Sequence, residues 1–185
     1  GLNQSVALAR AGVRTAHAGK IGADGAFLEE TLKLAGVDTR FLIHGTLPTG
    51  HAIIQVDREG QNCILLYPGA NRAVAREEID SVLDRLEPGT WILLQNEINE
   101  IPYLMREAKA RGFRIAINPA PCGPEVSEYP LELADVLFVH EIEAAQLSGV
   151  NGMPDEILDV LVKRFPECEI VMTLGGDGAA YAKGA

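Results

Sequence analysis

The sequence predicts an α/β fold in which a doubly wound, mostly parallel sheet is flanked by helices and carries a small β-hairpin. Two observations lead there. Short segments rich in branched apolar residues alternate with stretches whose apolar residues recur at helical spacing, and strands joined by helices pair in parallel because each crossover buries the apolar stripe of its helix against the sheet. One connection breaks the rhythm: residues 52–56 and 63–67 are joined only by Asp57-Arg58-Glu59-Gly60-Gln61-Asn62, which is a hairpin signal.

Taken in order, Asn3-Gln4-Ser5 open a first helix after Gly1, and residues 15–21 read as a strand. Asp24 is expected to cap a helix that carries Phe27, Leu28, Leu32 and Ala35 and stops at Gly36. The two hairpin strands follow. Ile79, Val82, Leu83 and Leu86 line a helix closed by Pro88-Gly89, and residues 91–95 form the next strand. Ile101, Leu104, Met105 and Ala108 fall at i, i+3, i+4 and i+7 before the stop at Gly112. Strands at 115–118 and 136–139 come next, Glu141 and Glu143 begin a helix after His140, and Ile157, Leu158, Leu161 and Val162 line another after Pro154. A last strand at 170–174 runs into a glycine-rich turn.

With 185 residues the chain is long enough for one ordinary domain and too short for two well-packed ones, so residues 1–185 are read as a single domain. Apolar residues at 47% and charged residues at 23% place it among globular proteins. Sixteen Lys and Arg against 26 Asp and Glu give a net charge of −10, a field that repels nucleic-acid backbones and anionic lipid surfaces. The longest apolar runs, such as Trp91-Ile92-Leu93-Leu94, fall far short of the roughly 20 residues of a bilayer span. Cys63, Cys122 and Cys168 have no metal-ligand spacing, which points to a reducing compartment and a cytoplasmic protein. The chain begins without Met, directly in an amphipathic pattern, and is read as lacking its natural start.

Open α/β sheets bind ligands at the carboxyl ends of their strands. The residues there are Asn96-Glu97, Asn118-Pro119-Ala120-Pro121, His140-Glu141 and Gly175-Gly176-Asp177-Gly178. The turn Thr173-Leu174-Gly175-Gly176-Asp177-Gly178 leaves backbone amides unscreened and can hold a nucleotide phosphate; it also fits a plain glycine hairpin between antiparallel strands. Asn3 is either a ligand-binding amide or a helix cap. Glu97, at a strand end, can bind sugar hydroxyls or a cation, or be a solvated loop carboxylate. Glu141 and Glu143 suit a helix start whatever else they do. His17, His44 and His51 have no ligand spacing and read as structural.

Together these pieces resemble a known family. Gly1-Leu2-Asn3-Gln4-Ser5-Val6-Ala7-Leu8-Ala9 resembles the tail of the Gly-Gly-Lys-Gly-x-Asn-Gln signature of the ribokinase-like, phosphofructokinase-B type carbohydrate kinases. In that family's order come Thr49-Gly50-His51-Ala52, Pro68-Gly69-Ala70-Asn71, Gln95-Asn96-Glu97, Asn118-Pro119-Ala120-Pro121 and the glycine turn. The resemblance implies an ATP-dependent sugar kinase that phosphorylates a hydroxyl of a small sugar, ribose first among them, with Mg2+ and a monovalent cation such as K+ assisting. Asn3 and Glu97 would then bind sugar hydroxyls, and Thr173, Leu174, Gly175, Gly176, Asp177 and Gly178 would line the ATP site. Glu143 matches the second acid of the family's Asn-x-x-Glu element near magnesium, while His140 stands where that element has Asn. The hairpin from 50 to 67 would be a β lid, its strands pairing between the subunits of a homodimer and so hiding their edges. The family's Gly-Ala-Gly-Asp motif, which carries the catalytic base, has no copy in the chain. The chain is therefore read as incomplete at both ends, and a non-catalytic sugar- or nucleotide-binding module on the same scaffold is the alternative.

Overall fold

The structure is a computed structural model that describes residues 1–60 and 62–184. The chain groups into two compact units, Gly1–Glu78 with Glu97–Asn99, and Ile79–Asn96 with Glu100–Ala185. The mostly parallel, helix-flanked sheet expected from the sequence is present.

In the first unit, α1 (Leu2–Arg10) leads into β1 (Ala16–Ile21), α2 (Ala26–Leu34) crosses over, and β2 (Asp38–His44) pairs with β1 in parallel, from Ala16 opposite Asp38 to Ile21 opposite His44. Leu32, Val37 and Phe41 form part of the buried core of this βαβ unit. The strand β2 went unread in the sequence because Asp38, Arg40 and His44 interrupt its apolar residues. The expected cap at Asp24 is not formed. Gly25 occupies the N-cap position of α2 without a side-chain bond, and the Asp24 carboxylate accepts instead from Thr49, from its N–H at 2.9 Å and its hydroxyl at 2.8 Å. Phe27, expected on the buried stripe, is 63% exposed. Gly36 does stop α2: with φ +79° it lets its own N–H reach Lys33 O while Val37 N–H reaches Leu32 O, the Schellman pattern.

The hairpin follows as β3 (His51–Val56) and β4 (Asn62–Tyr67), antiparallel from His51 opposite Tyr67 to Val56 opposite Asn62; Gln61 of its turn lies outside the described residues. Successive strand residues face opposite sides, and Ile53, Ile54, Leu65 and Leu66 are all more than half exposed, so both faces of the ribbon are apolar and bare in this chain. Its base is tightly built. Gly69 has φ +48°, and Ala70 N–H donates to Pro48 O at 2.9 Å; a Cβ on Gly50 would lie 2.6 Å from Pro68 O.

In the second unit, α3 (Arg76–Leu83), which begins at the end of the first unit, precedes β5 (Trp91–Gln95), followed by α4 (Ile101–Ala110), β6 (Arg114–Asn118), β7 (Val136–His140), α5 (Glu141–Ser148), α6 (Pro154–Arg164), β8 (Glu169–Thr173) and β9 (Ala179–Ala182). The sheet runs β5-β6-β7-β8-β9, parallel except for the β8–β9 pair. Ile115, Ile117, Leu137, Ile170 and Met172 are fully buried, and Met105, Ala108 and Leu161 are among the buried positions of the flanking helices. The strand at 170–174 is shifted back by one residue, leaving Leu174 in the turn. The strand β9, Ala179-Ala180-Tyr181-Ala182, carries too little branched apolar character to read as a strand from sequence.

Candidate functional site

The carboxyl ends of β6, β7 and β8 gather one set of groups. His140 ends β7 directly opposite Thr173, which ends β8. Glu143 reaches back from the first turn of α5, its Oε2 accepting the His140 N–H at 2.9 Å, the return half of a capping box. Asn118, at the end of β6, donates to Phe138 O at 2.9 Å and to the same Glu143 oxygen at 3.4 Å. His140 is exposed, so its ring is open to solvent at this rim. Beyond Thr173 the chain turns through Gly175–Asp177 and comes back as β9; Leu174 N–H donates to Gly178 O at 2.8 Å. The antiparallel glycine hairpin weighed in the sequence is thus the local structure of this segment. Gly175 and Gly178 need glycine for their φ of +57° and +93°. Gly176 differs: its φ is ordinary, and a Cβ there would meet nothing within 4 Å. Neither conformation nor packing within the chain requires a glycine at 176, whereas a ligand lying flat on the backbone would.

Glu97 and Asn3 belong to the first unit. The backbone nitrogen of Gly1 donates to Glu97 Oε2 at 3.1 Å, and the carboxylate remains 48% exposed. Because α1 starts at Leu2 with Gly1 at its N-cap position, Asn3 sits inside the first turn with an exposed side chain. The helix-cap reading of Asn3 is therefore overturned. Nearby, His17 is half-buried with Nδ1 2.8 Å from Ser5 Oγ, and burial lowers its pKa. Asp24 is held below the usual carboxylate range by the Thr49 N–H and hydroxyl.

Among the described residues no group of three or more His, Cys, Asp or Glu could by itself hold a metal ion. Magnesium in phosphoryl-transfer sites needs no such cage, since it is bound through one or two carboxylates together with substrate phosphates and water. Glu143, at the open rim with its bonds to Asn118 and His140 on one oxygen, fits that mode.

Asn118 and Asn96, named at strand ends in the sequence, were given no individual role there. Asn118 joins the rim through its amide. Asn96, at 1% exposure, donates to Pro121 O at 2.6 Å and to Glu125 Oε1 at 2.8 Å while accepting from the Tyr129 hydroxyl. For each, the sequence offered an Asn at the end of an apolar strand and a place in the ordered motifs, but no hydrogen-bond partner. Among the described residues no helix is long and apolar enough to cross a membrane, and Cys63, Cys122 and Cys168 are free thiols.

The chain matches the pfkB family carbohydrate kinase profile over residues 1–185. It is 34% identical over 191 residues to a ribokinase of Staphylococcus aureus, an alignment covering 98% of this chain and 62% of that protein. Among solved structures it resembles a ribokinase from Thermotoga maritima, at 28% identity and TM-score 0.84 over 99% of this chain and 62% of that one. It also resembles a ribokinase from Cryptococcus neoformans in complex with ADP, at 27% identity and TM-score 0.78 over 99% and 63%. The chain thus spans about three-fifths of the length of these relatives. Matched end to end by the family profile and carrying a helix-flanked, mostly parallel sheet with its polar groups at the strand ends, the chain belongs to the pfkB family of carbohydrate kinases.

Proposed function

We propose that the protein is an ATP-dependent sugar kinase that transfers the γ-phosphoryl group to a hydroxyl of a small sugar, with ribose as the substrate, acting in the cytoplasm. The observation that carries the reading is the rim at the ends of β7 and β8, where His140, Glu143, Thr173 and a glycine turn converge, including the Gly176 that the fold itself does not require. The naming of the Staphylococcus aureus relative as a ribokinase and the ADP in the Cryptococcus neoformans structure support the same chemistry.

In this reading Asn3 and Glu97 hold sugar hydroxyls. An amide offers one donor group and one acceptor, an ionised carboxylate two acceptor oxygens, and such directional bonds fix which hydroxyl faces the phosphate. Residues 173–178 hold ATP, with backbone amides and the flat face of Gly176 against the nucleotide, and His140 adds a ring at the same rim. Glu143 holds magnesium through a carboxylate oxygen; when bound, the ion neutralises phosphate charge, and a monovalent cation such as K+ assists. Phosphoryl transfer depends mostly on positioning and electrostatics, which is what these groups supply. The β3–β4 ribbon acts as a lid over the sugar and excludes water as a competing acceptor. Its bare apolar faces are covered by the ribbon of a second subunit in a homodimer, which also protects its edges.

A panel of pentoses and hexoses incubated with ATP and magnesium tests the reading through ADP release. Release with a sugar, D-ribose foremost, is expected; no release above background with any sugar refutes it.

A further inference from the structure

Residues 97–99 belong to the first unit although the chain on either side of them belongs to the second. The excursion is held by side-chain bonds. Asn99 pairs with the backbone of Val74 through both ends of its amide: Oδ1 accepts the Val74 N–H at 3.0 Å and Nδ2 donates to Val74 O at 2.8 Å. That pairing imitates a strand-to-strand contact with one side chain and satisfies both polar groups of Val74. The Val74 loop is itself clamped on each side. Lys20 Nζ from β1 donates to Ala73 O at 2.9 Å and to Glu78 at 2.8 and 3.1 Å, and Glu78 Oε2 accepts the Ala75 N–H at 2.8 Å. Hydrogen bonds on adjacent residues of the 73–75 loop therefore link β1, at Ala73, and Asn99, at Val74, two residues from Glu97. Glu100, directly after, is the sole non-glycine residue with positive φ, +59°, among the described residues. A non-glycine residue in that region persists where surrounding bonds over-determine the backbone.

We propose that Asn99 is the positioning residue for Glu97: by pairing with Val74 it fixes the 97–99 segment to the first unit, so that the Glu97 carboxylate is presented to the sugar in one orientation. Glu97 needs such help because its own carboxylate is half exposed and is met at 3.1 Å by the backbone nitrogen of Gly1 rather than by a side chain packed around it. A carboxylate on a segment free to move samples orientations that bind no hydroxyl, and sugar affinity falls by the fraction of time lost. The inference rests on the sugar-site reading of Glu97, and its test separates the two.

The experiment is a double-mutant cycle in the full chain, with dissociation constants for D-ribose, or for whichever sugar of the panel binds best, and for ATP measured by calorimetry. Asn99→Ala is expected to weaken sugar binding by about tenfold, the scale of one net hydrogen bond, and to change ATP affinity by less than about twofold. In a Glu97→Ala background the same substitution should change sugar affinity by less than about twofold, because there is no carboxylate left to position. A purely structural residue would weaken both backgrounds alike. If Asn99→Ala does not melt cooperatively, Asn99→Asp replaces it: it keeps the acceptor for Val74 N–H and loses the donor to Val74 O, and it is judged by the same cycle. Unchanged sugar affinity, or equal losses in the two backgrounds, overturns the assignment of Asn99. A parent protein that binds no sugar of the panel, or one indifferent to Glu97→Ala, overturns the sugar-site reading of Glu97 before Asn99 is touched, and this inference with it.

Discussion

Replacing Asn96 by Ala removes a buried amide of the second unit that makes three side-chain hydrogen bonds. Its amide donates to Pro121 O and to Glu125 Oε1 and accepts from Tyr129 Oη, at 1% exposure, so the end of β5 is tied to the loop after β6, which includes the cis Ala120–Pro121 bond, and to the turn at Pro124–Glu128. Three hydrogen bonds at about 1 kcal/mol net each, one of them to a charged group and therefore worth more, amount to about 3–4 kcal/mol. Water has little access to make up the loss, because the site is closed to solvent. That is a large share of the roughly 5–15 kcal/mol stability of an ordinary domain. Urea unfolding followed by circular dichroism is the assay, with the slope of free energy against urea compared between variants so that a change in the denatured state is not mistaken for a change in the fold. Glu97→Ala is the control: Glu97, the next residue in sequence, is 48% exposed, and its substitution should shift stability by less than about 0.5 kcal/mol. A loss below about 1 kcal/mol for Asn96→Ala, on the scale of a single hydrogen bond, refutes the reasoning, since the amide would then be no more than one replaceable bond.

Glu97→Gln should weaken sugar binding by roughly 1.5–3 kcal/mol, the worth of a charge-assisted hydrogen bond, and leave ATP binding unchanged; equal losses in calorimetry for both ligands would mark Glu97 as structural. For His17, burial lowers the folded-state pKa below the ordinary 6.5, so the unfolded chain binds more protons beneath that value and stability falls as pH drops through 6.5 toward the lower folded value. Thermal melting between neutral and mildly acid pH should show the decline, and His17→Gln should flatten it; an equal slope in both proteins removes His17 as its source. Cys168 is buried, and burial pushes its thiol up to about 11, so a thiol reagent at neutral pH should label exposed Cys63 first and reach Cys168 only in denaturant. Rapid labelling of all three thiols in the folded protein contradicts that order.

The legible part of the fold was the part whose signals are local. Ile101, Met105 and Ala108 keep helical spacing and are buried, and Gly36 and Gly112 stop their helices with left-handed backbone. What was not legible depends on partners distant in sequence. Asp24 has the side chain of a helix cap, but Thr49, 25 residues later, offers it two donors at once and takes it away from the helix. Phe27 keeps the spacing of its helix stripe yet lies on the open side, because the position of a stripe relative to the core is fixed only when the sheet is assembled. In the candidate site, residue types at strand ends could be named from sequence. Their hydrogen bonds could not: that Glu143 turns one oxygen toward both His140 and Asn118, and that Asn99 pairs with Val74, follows from three-dimensional neighbours alone.

The β3–β4 ribbon has one further consequence. A two-stranded ribbon with Ile53, Ile54, Leu65 and Leu66 exposed buries little of its own apolar surface, and because such hairpins are marginal in isolation we expect its ordered form to be one population among others. Under the lid reading, only that population closes over the sugar, and the measured dissociation constant is the intrinsic one divided by the ordered fraction. Anything that orders the ribbon then tightens sugar binding without touching the sugar. If a second subunit covers the ribbon, raising protein concentration would do so, and apparent sugar affinity would become a function of protein concentration.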